Sequence, residues 1–269
     1  MVQIESYGPW AVVTGASSGI GRAFAEHLAA AGLNLVLAAR STERLETLGK
    51  ELERKYGVSC RAITVDLSDP EASSQIAAAT ADIEVGLLVS NAGAGRPGLL
   101  LDQPLERLHH RLALNATSHL DLVHAFGRRF TARGRGGIIL VSAFGAGHGI
   151  PNMAHDAASK AYLLSLGSAL HYELGRAGVA VTVLQPGNVE TPIIDALGVD
   201  RSSLPIRPQP ADKAVRGAVK AFLRGRAVYI PGRTMGLLGR LMPRSMSARM
   251  NGRMLGAAAR NLAERELAN

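Results

Sequence analysis

The most constraining feature of this chain is eight residues long. Thr14-Gly15-Ala16-Ser17-Ser18-Gly19-Ile20-Gly21 joins an apolar run, Trp10–Thr14, to a segment with helical patterning, Gly19–Ala31. A dinucleotide's pyrophosphate needs a tight turn, a bare backbone to approach and the positive end of a helix dipole. Gly15 can supply the turn, Gly19 the close approach, and Gly21 the room for the helix to lie near the strand. Ser17, Ser18 and Ile20 complete the cradle. Glycines alone are a weak sign, because any turn can hold them. A strand before and a helix after make this loop a cofactor-binding expectation.

The same alternation runs along the chain. Strands are expected near Trp10–Thr14, Leu33–Ala39, Arg61–Asp66, Val85–Ser90, Gly137–Ser142, Val179–Gln185 and Ala227–Ile230. Helices are expected near Gly19–Ala31, Thr42–Tyr56, Pro70–Ala79, Ala113–Ala132, His155–Arg176 and Ala211–Arg224. Strands alternating with helices give an α/β, doubly wound Rossmann fold, about seven parallel strands with helices on both faces. Ile138-Ile139-Leu140-Val141 is the continuous apolar run of a strand buried on both sides. A length of 269 residues suits one such domain.

Several motifs follow in a fixed order: Asp66-Leu67, Asn91-Ala92-Gly93, Asn115, Ser142, Lys160, and Pro186-Gly187 with Val189 and Thr191. Together with the glycine loop they resemble the short-chain dehydrogenase/reductase family from about Trp10 to Thr191. The resemblance implies that Asp66 and Leu67 flank an adenine, that Asn91, Ala92 and Gly93 line a ribose, and that Thr191 touches a nicotinamide. It also implies a homodimer or homotetramer, built by pairing the helices expected at Ala113–Ala132 and His155–Arg176.

The second strand ends in Ala39-Arg40-Ser41, where NAD-preferring enzymes carry an acid for the ribose 2′-hydroxyl. A guanidinium at that place suits a 2′-phosphate through charge-assisted bonds. Arg22 adds positive charge nearby. NADP(H) is the cofactor expected.

The resemblance also implies a catalytic tyrosine four residues before Lys160, on the same helix face. The residue there is Asp156, in Ala154-His155-Asp156-Ala157-Ala158-Ser159-Lys160. Ser142, Asn115 and Lys160 are in place: Ser142 to orient the reacting group, Lys160 to bind the nicotinamide ribose, Asn115 to support the helix and a water. An aspartate beside the Lys160 ammonium is expected to stay ionised, and a carboxylate has no proton to give. It can stabilise a cationic substrate such as an iminium, or act as a base. Tyr162 lies about 200° around the helix from Lys160 and is expected in the core. His148 and His155 are the other proton carriers within reach in sequence.

The expectation is thus an NADP(H)-dependent oxidoreductase with an atypical site, acting on a small organic ketone, alcohol or imine. A redox-neutral lyase, cyclase or isomerase using Asp156 as base stays open, as does a catalytically inactive NADP-binding scaffold. Residues 187–210, with Pro192, Pro205, Pro208 and Pro210, read as a substrate loop with a short helix. Residues 232–269 read as a basic amphipathic extension, which can pack on the domain, close over the site or touch a membrane surface.

The net charge is +8, without the aromatic interleaving of a nucleic-acid site, so no nucleic-acid partner is expected. One cysteine excludes an internal disulfide. Met1–Trp10 is short and polar, and no apolar run reaches about 18 residues. The location expected from these features is cytoplasmic. No metal site is expected.

Overall fold

The computed structural model describes residues 3–145, 147–204, 206–232 and 243–267. Seven strands form one sheet: β1 Trp10–Thr14, β2 Asn34–Ala39, β3 Cys60–Thr64, β4 Val85–Ser90, β5 Gly136–Val141, β6 Val179–Leu184 and β7 Val228–Tyr229. Their order is β3-β2-β1-β4-β5-β6-β7, and every pairing is parallel. The helices are α1 Gly19–Ala30, α2 Thr42–Tyr56, α3 Ala72–Ala78, α4 Leu105–Leu112, α5 Ser118–Arg133, α6 Ala154–Gly175, α7 Pro192–Ala196, α8 Ala211–Leu223 and α9 Arg244–Leu267.

Two apolar layers enclose the sheet. Ala11, Val13, Leu35 and Leu37 face one, with Phe24 of α1 and Phe222 of α8. Val12, Val36 and Leu88 face the other, with Phe126 and Phe130 of α5. Strand alternation sends neighbouring side chains to opposite faces. Gly136 and Gly137 open β5 for the same reason. A Cβ on Gly136 would meet the Phe130 ring at 2.3 Å, and one on Gly137 would meet Phe222 at 2.5 Å. Two phenyl rings, each worth about 1.5–3 kcal/mol when buried, close on the strand from its two sides only because those side chains are missing.

The sheet order reverses between β1 and β4. In open α/β sheets the crevice beyond the strand ends at such a switch point is where ligands bind. The loop after β1 carries Gly15, and the loop after β4 carries Asn91.

Three expectations need correction. The helix expected at Ala113–Ala132 starts earlier: α4 runs from Leu105, and a π-helical segment, Ala113–Thr117, joins it to α5. Leu105, Leu108 and Leu112 stand at helical spacing, but the helix is two turns long and only Leu108 and Arg111 of it are buried, so its apolar stripe is too short to stand out in the sequence. Tyr162 is 40% exposed, not in the core. Arg22 is held by Glu26 at 2.9 Å and Glu51 at 2.8 Å, so its charge is already answered. In the proposed substrate loop, α7 is the short helix, and a parallel bridge pairs Val189 with Gln209. Pro205 lies outside the described residues, as do residues 233–242 of the basic extension. Among the described residues no helix is long and apolar enough to cross a membrane.

Candidate active site

One cavity of about 1620 Å³ lies beyond the carboxyl ends of the strands. That exceeds the ~300–1,000 Å³ of a typical single-ligand pocket, and leaves room for two molecules side by side.

Its first wall is the glycine loop. Gly15 and Gly19 adopt φ +64° and +54°, the left-handed region that favours glycine. Gly15, Ser17, Ser18, Gly19 and Ile20 all line the cavity. Gly21 does not: it faces inward, where a Cβ would lie 2.2 Å from the Gly15 carbonyl oxygen. It therefore sets the helix–loop distance rather than touching a ligand. Helix α1 begins at Gly19, among the residues that line this space, and the unpaired N–H groups of a helix's first turn suit a phosphate.

The second wall is the loop after β4. Thr14 Oγ1 accepts the N–H groups of Asn91 at 2.9 Å and Ala92 at 3.1 Å, and Asn91 Nδ2 donates to the Thr14 carbonyl at 2.9 Å. This ties the two switch-point loops together. Beneath them His119 is buried, with its Nδ1 2.7 Å from Ser90 Oγ and its Nε2 2.8 Å from the Ala92 carbonyl. Burial and the nearby Lys160 charge push its pKa down to about 3. The ring is neutral, donating from Nε2 and accepting from Ser90. Asn91, Ala92 and Gly93 line the cavity, as do Asp66 and Leu67 on one side and Pro186, Gly187, Val189 and Thr191 on another.

At the far edge Arg40 is largely exposed and stands 3.9 Å from Asp66. Burial raises the Asp66 pKa, but the Ser68 hydroxyl and N–H and the Arg40 charge outweigh it and hold it below the ordinary value. Arg44, in the first turn of α2, lines the same rim as Arg40, with Glu43 beside it.

The polar centre lies at the start of α6. Ser142, at the end of β5, donates to the Lys160 carbonyl at 2.7 Å. Lys160 Nζ donates to the Val141 carbonyl at 3.1 Å. Burial lowers the Lys160 pKa to about 8, and the Asp156 charge opposes part of that fall. Both residues line the cavity, and so does Asp156. Asn115 does not. It sits in the π segment, fully buried, and its amide clamps Ala94: Oδ1 accepts the Ala94 N–H at 2.9 Å and Nδ2 donates to the Ala94 carbonyl at 2.8 Å. A wide π turn is a recurrent device at functional sites. A Cβ on Gly93 would lie 2.9 Å from Lys160 Nζ and 3.1 Å from Asn115 Oδ1, so the glycine keeps that approach open.

Asp156 is not paired as expected. Its Oδ1 accepts from Arg111 Nε at 3.0 Å, with both side chains buried, and its Oδ2 accepts the Arg96 N–H at 3.0 Å. Arg111 continues to Gln103, whose amide donates to the Gly98 and Leu99 carbonyls. Asp156 lies in the first turn of α6, where the helix dipole favours a carboxylate. Sequence reasoning missed Arg111. It stands four residues before Asn115, a visible spacing, but nothing local joins it to a residue 45 positions later.

The two histidines separate. His155 Nε2 bonds the Leu108 carbonyl at 2.8 Å, away from the cavity. His148 lines the cavity, and its buried Nδ1 has no hydrogen-bond partner among the described residues. Among the described residues no cluster of His, Cys, Asp and Glu could hold a metal.

Most of the residues that match in order thus line one cavity, and comparison with known proteins gives the family. The family model for short chain dehydrogenases matches residues 9–201. The chain belongs to the short chain dehydrogenase family. It is 33% identical over 205 residues to a 7beta-hydroxysteroid dehydrogenase of Collinsella aerofaciens, covering 76% of each. It is 35% identical over 191 residues to the human inactive hydroxysteroid dehydrogenase-like protein 1, covering 70% of this chain and 58% of that one. A short-chain dehydrogenase from Sphingobium yanoikuyae, solved in complex with NADPH, superposes with a TM-score of 0.79 at 30% identity, covering 93% of this chain and 94% of that one.

Proposed function

We propose that this short-chain dehydrogenase is an NADP(H)-dependent oxidoreductase of an uncharged ketone or the matching alcohol, in which Lys160, not residue 156, moves the proton. The observation that carries this reading is the Asp156–Arg111 pair. Both carboxylate oxygens of Asp156 accept hydrogen bonds from fixed donors, so the residue offers no proton to a substrate. Its charge is cancelled by Arg111, so it gives little stabilisation to a cationic substrate. With Lys160 added, the centre leans positive. That favours a developing alkoxide over an iminium.

The residues present fit the cofactor. The bare glycine cradle, the N-terminus of α1 and the cleft between Asn91–Gly93 and Pro186–Thr191 would hold the dinucleotide, with Arg40 and Arg44 beside the 2′-phosphate. Bound NADPH supplies a hydride, and NADP⁺ accepts one in the reverse direction. The chain's own residues do the rest. Ser142 turns its hydroxyl from the Lys160 carbonyl to the substrate oxygen and fixes it. Lys160 spends one of its three N–H donors on Val141 and has two left. An ammonium with a pKa near 8 gives up its proton readily near neutrality. Asn115 holds the Gly93–Ala94 backbone in place, and Asp156 positions the 96–103 loop through Arg111 and Gln103. In this reading Asp156 stands where the family's tyrosine is expected, as a positioning residue.

The same pair supports a second reading, an inactive scaffold that binds NADP(H), since no free acid stands at position 156. Turnover separates the two. NADPH oxidation with a bulky neutral ketone, absent in a Lys160→Met variant that still folds, supports the enzyme; NADPH binding without turnover of any ketone or alcohol supports the scaffold. A redox-neutral enzyme with Asp156 as base is disfavoured by the same geometry.

We also propose a homodimer through the outer face of α4–α6. Leu112, Leu120 and Tyr162 are each about 40% exposed there, around one shallow groove.

A further inference from the structure

The cavity's last wall is α9. Gly252 and Gly256 bring this helix close to the turn before α6: a Cβ on Gly252 would lie 3.0 Å from Pro151, and one on Gly256 3.2 Å from Asn152. Asn152, at φ +62°, donates from Nδ2 to the Gly252 carbonyl at 2.9 Å. Ala258 is buried, and a Cβ on Gly198 would meet Leu262. With that face docked, Met246, Arg249, Met250, Arg253 and Met254 line the cavity, with Asn251 and Leu255 at the margin. The spacing of three and four is one helical stripe.

The stripe has two chemistries. Methionine is flexible and polarizable, and fits apolar bodies of irregular shape. Met246 and Met250 are 52% and 37% exposed, facing open space. Arg249 and Arg253 are exposed and bond no acid among the described residues. The acids that line the cavity lie elsewhere: Glu43 and Asp66 at the β2–β3 edge, and Asp156 bound to Arg111.

We propose that the substrate of this site has a large apolar body and one anionic group, and that Arg249 and Arg253 bind that group while the methionines wrap the body. The proposal rests on the cavity being the substrate site of the oxidoreductase reading above, and it names the class of substrate. Two guanidiniums one helical turn apart suit a carboxylate or a phosphate equally, through charge-assisted bonds.

The test uses two fluorescent probes with the same apolar body. 8-Anilinonaphthalene-1-sulfonate is anionic; N-phenyl-1-naphthylamine is neutral. The full chain should bind the anionic probe saturably, and an Arg249→Gln/Arg253→Gln variant should bind it about tenfold more weakly. The neutral probe should bind both proteins within about twofold, and Arg40→Gln should change neither. Decanoate and decyl phosphate should displace the anionic probe while decan-1-ol does so poorly; whichever acts at lower concentration identifies the anion. Equal loss of both probes in the double variant would overturn the proposal, as would no loss of the anionic one. So would an unchanged anionic-probe affinity together with lost binding to phosphatidylglycerol vesicles, which would make the stripe a lipid-surface contact. NADPH titration of the same samples keeps the two claims apart. Failure of the wild-type protein to bind NADPH would sink the oxidoreductase reading and leave the probe result standing on its own.

Discussion

Replacing Asp156 with Asn tests the buried pair directly. The carboxylate oxygens now accept from Arg111 Nε at 3.0 Å and the Arg96 N–H at 3.0 Å. A carboxamide keeps one acceptor oxygen and sets an NH₂ donor against the other N–H. It also leaves the Arg111 guanidinium, 9% exposed, without its counter-charge. Removing one partner of a buried ion pair costs about 3–5 kcal/mol. At ~2–4 °C per kcal/mol for a domain near this size, melting should fall by roughly 6–20 °C. Arg111→Met should cost a similar amount, since it strands the carboxylate. The double variant removes both charges, so its loss should fall short of the sum of the singles by about 2 kcal/mol or more. Urea unfolding of the four proteins, followed by circular dichroism, gives the cycle. Losses that add to within ~0.5 kcal/mol would refute the coupling, and with it the assignment of Asp156 as a residue held by Arg111.

Arg40→Ala should weaken NADPH binding about 10- to 100-fold, the loss of a charge-assisted bond of ~1.5–3 kcal/mol, and leave NADH binding nearly unchanged; calorimetry of both cofactors checks it. Gly21→Ala forces a Cβ to 2.2 Å from the Gly15 carbonyl oxygen, backbone against backbone, and should cost at least the ~1–3 kcal/mol of ordinary overpacking; chemical denaturation reads the result. Leu120→Glu with Tyr162→Glu should convert a dimer to a monomer in light scattering, without loss of NADPH binding. Lys160 has its pKa lowered by folding, to about 8 from 10.5, so between those values the unfolded chain binds more protons. Its contribution makes the protein gain stability as pH rises through that window, and a Lys160→Met variant should lack this part of the gain in pH-dependent unfolding.

The fold was legible because its strands are buried on both faces. Val85–Ser90 and Trp10–Thr14 read as apolar runs closed by turn residues, and the structure places them at those limits. Thr42–Tyr56 was equally legible, ending at Gly57 in the left-handed conformation. The α4 helix was not: it is only two turns long, and an arginine, Arg111, completes its buried face beside Leu108 where an apolar residue would have extended the pattern. The cavity's cofactor side was legible as motifs whose glycines answer to local backbone geometry. The partners of its charges were not. Arg111 reaches Asp156 across 45 positions, and Glu51 reaches Arg22 across 29; no local periodicity encodes such pairs. Glu26, four residues after Arg22, was the readable half of that cluster. Tyr162 was placed correctly off the Lys160 face, but the side it occupies is surface: it is 40% exposed beside the shallow groove that Leu112 and Leu120 line.

The central claim, that Lys160 and not Asp156 moves the proton, is tested most directly by the pH dependence of kcat/KM for NADPH-linked reduction of a bulky neutral ketone. Wild type and Asp156→Asn are compared at a temperature where both are folded. The account predicts that reduction by the wild type falls as pH rises through about 8, as the Lys160 ammonium is lost. In Asp156→Asn the same limb should persist, moved to lower pH, because the carboxylate no longer favours the ammonium. A variant whose residual activity has lost that limb altogether would place the titrating group at Asp156 and contradict the account.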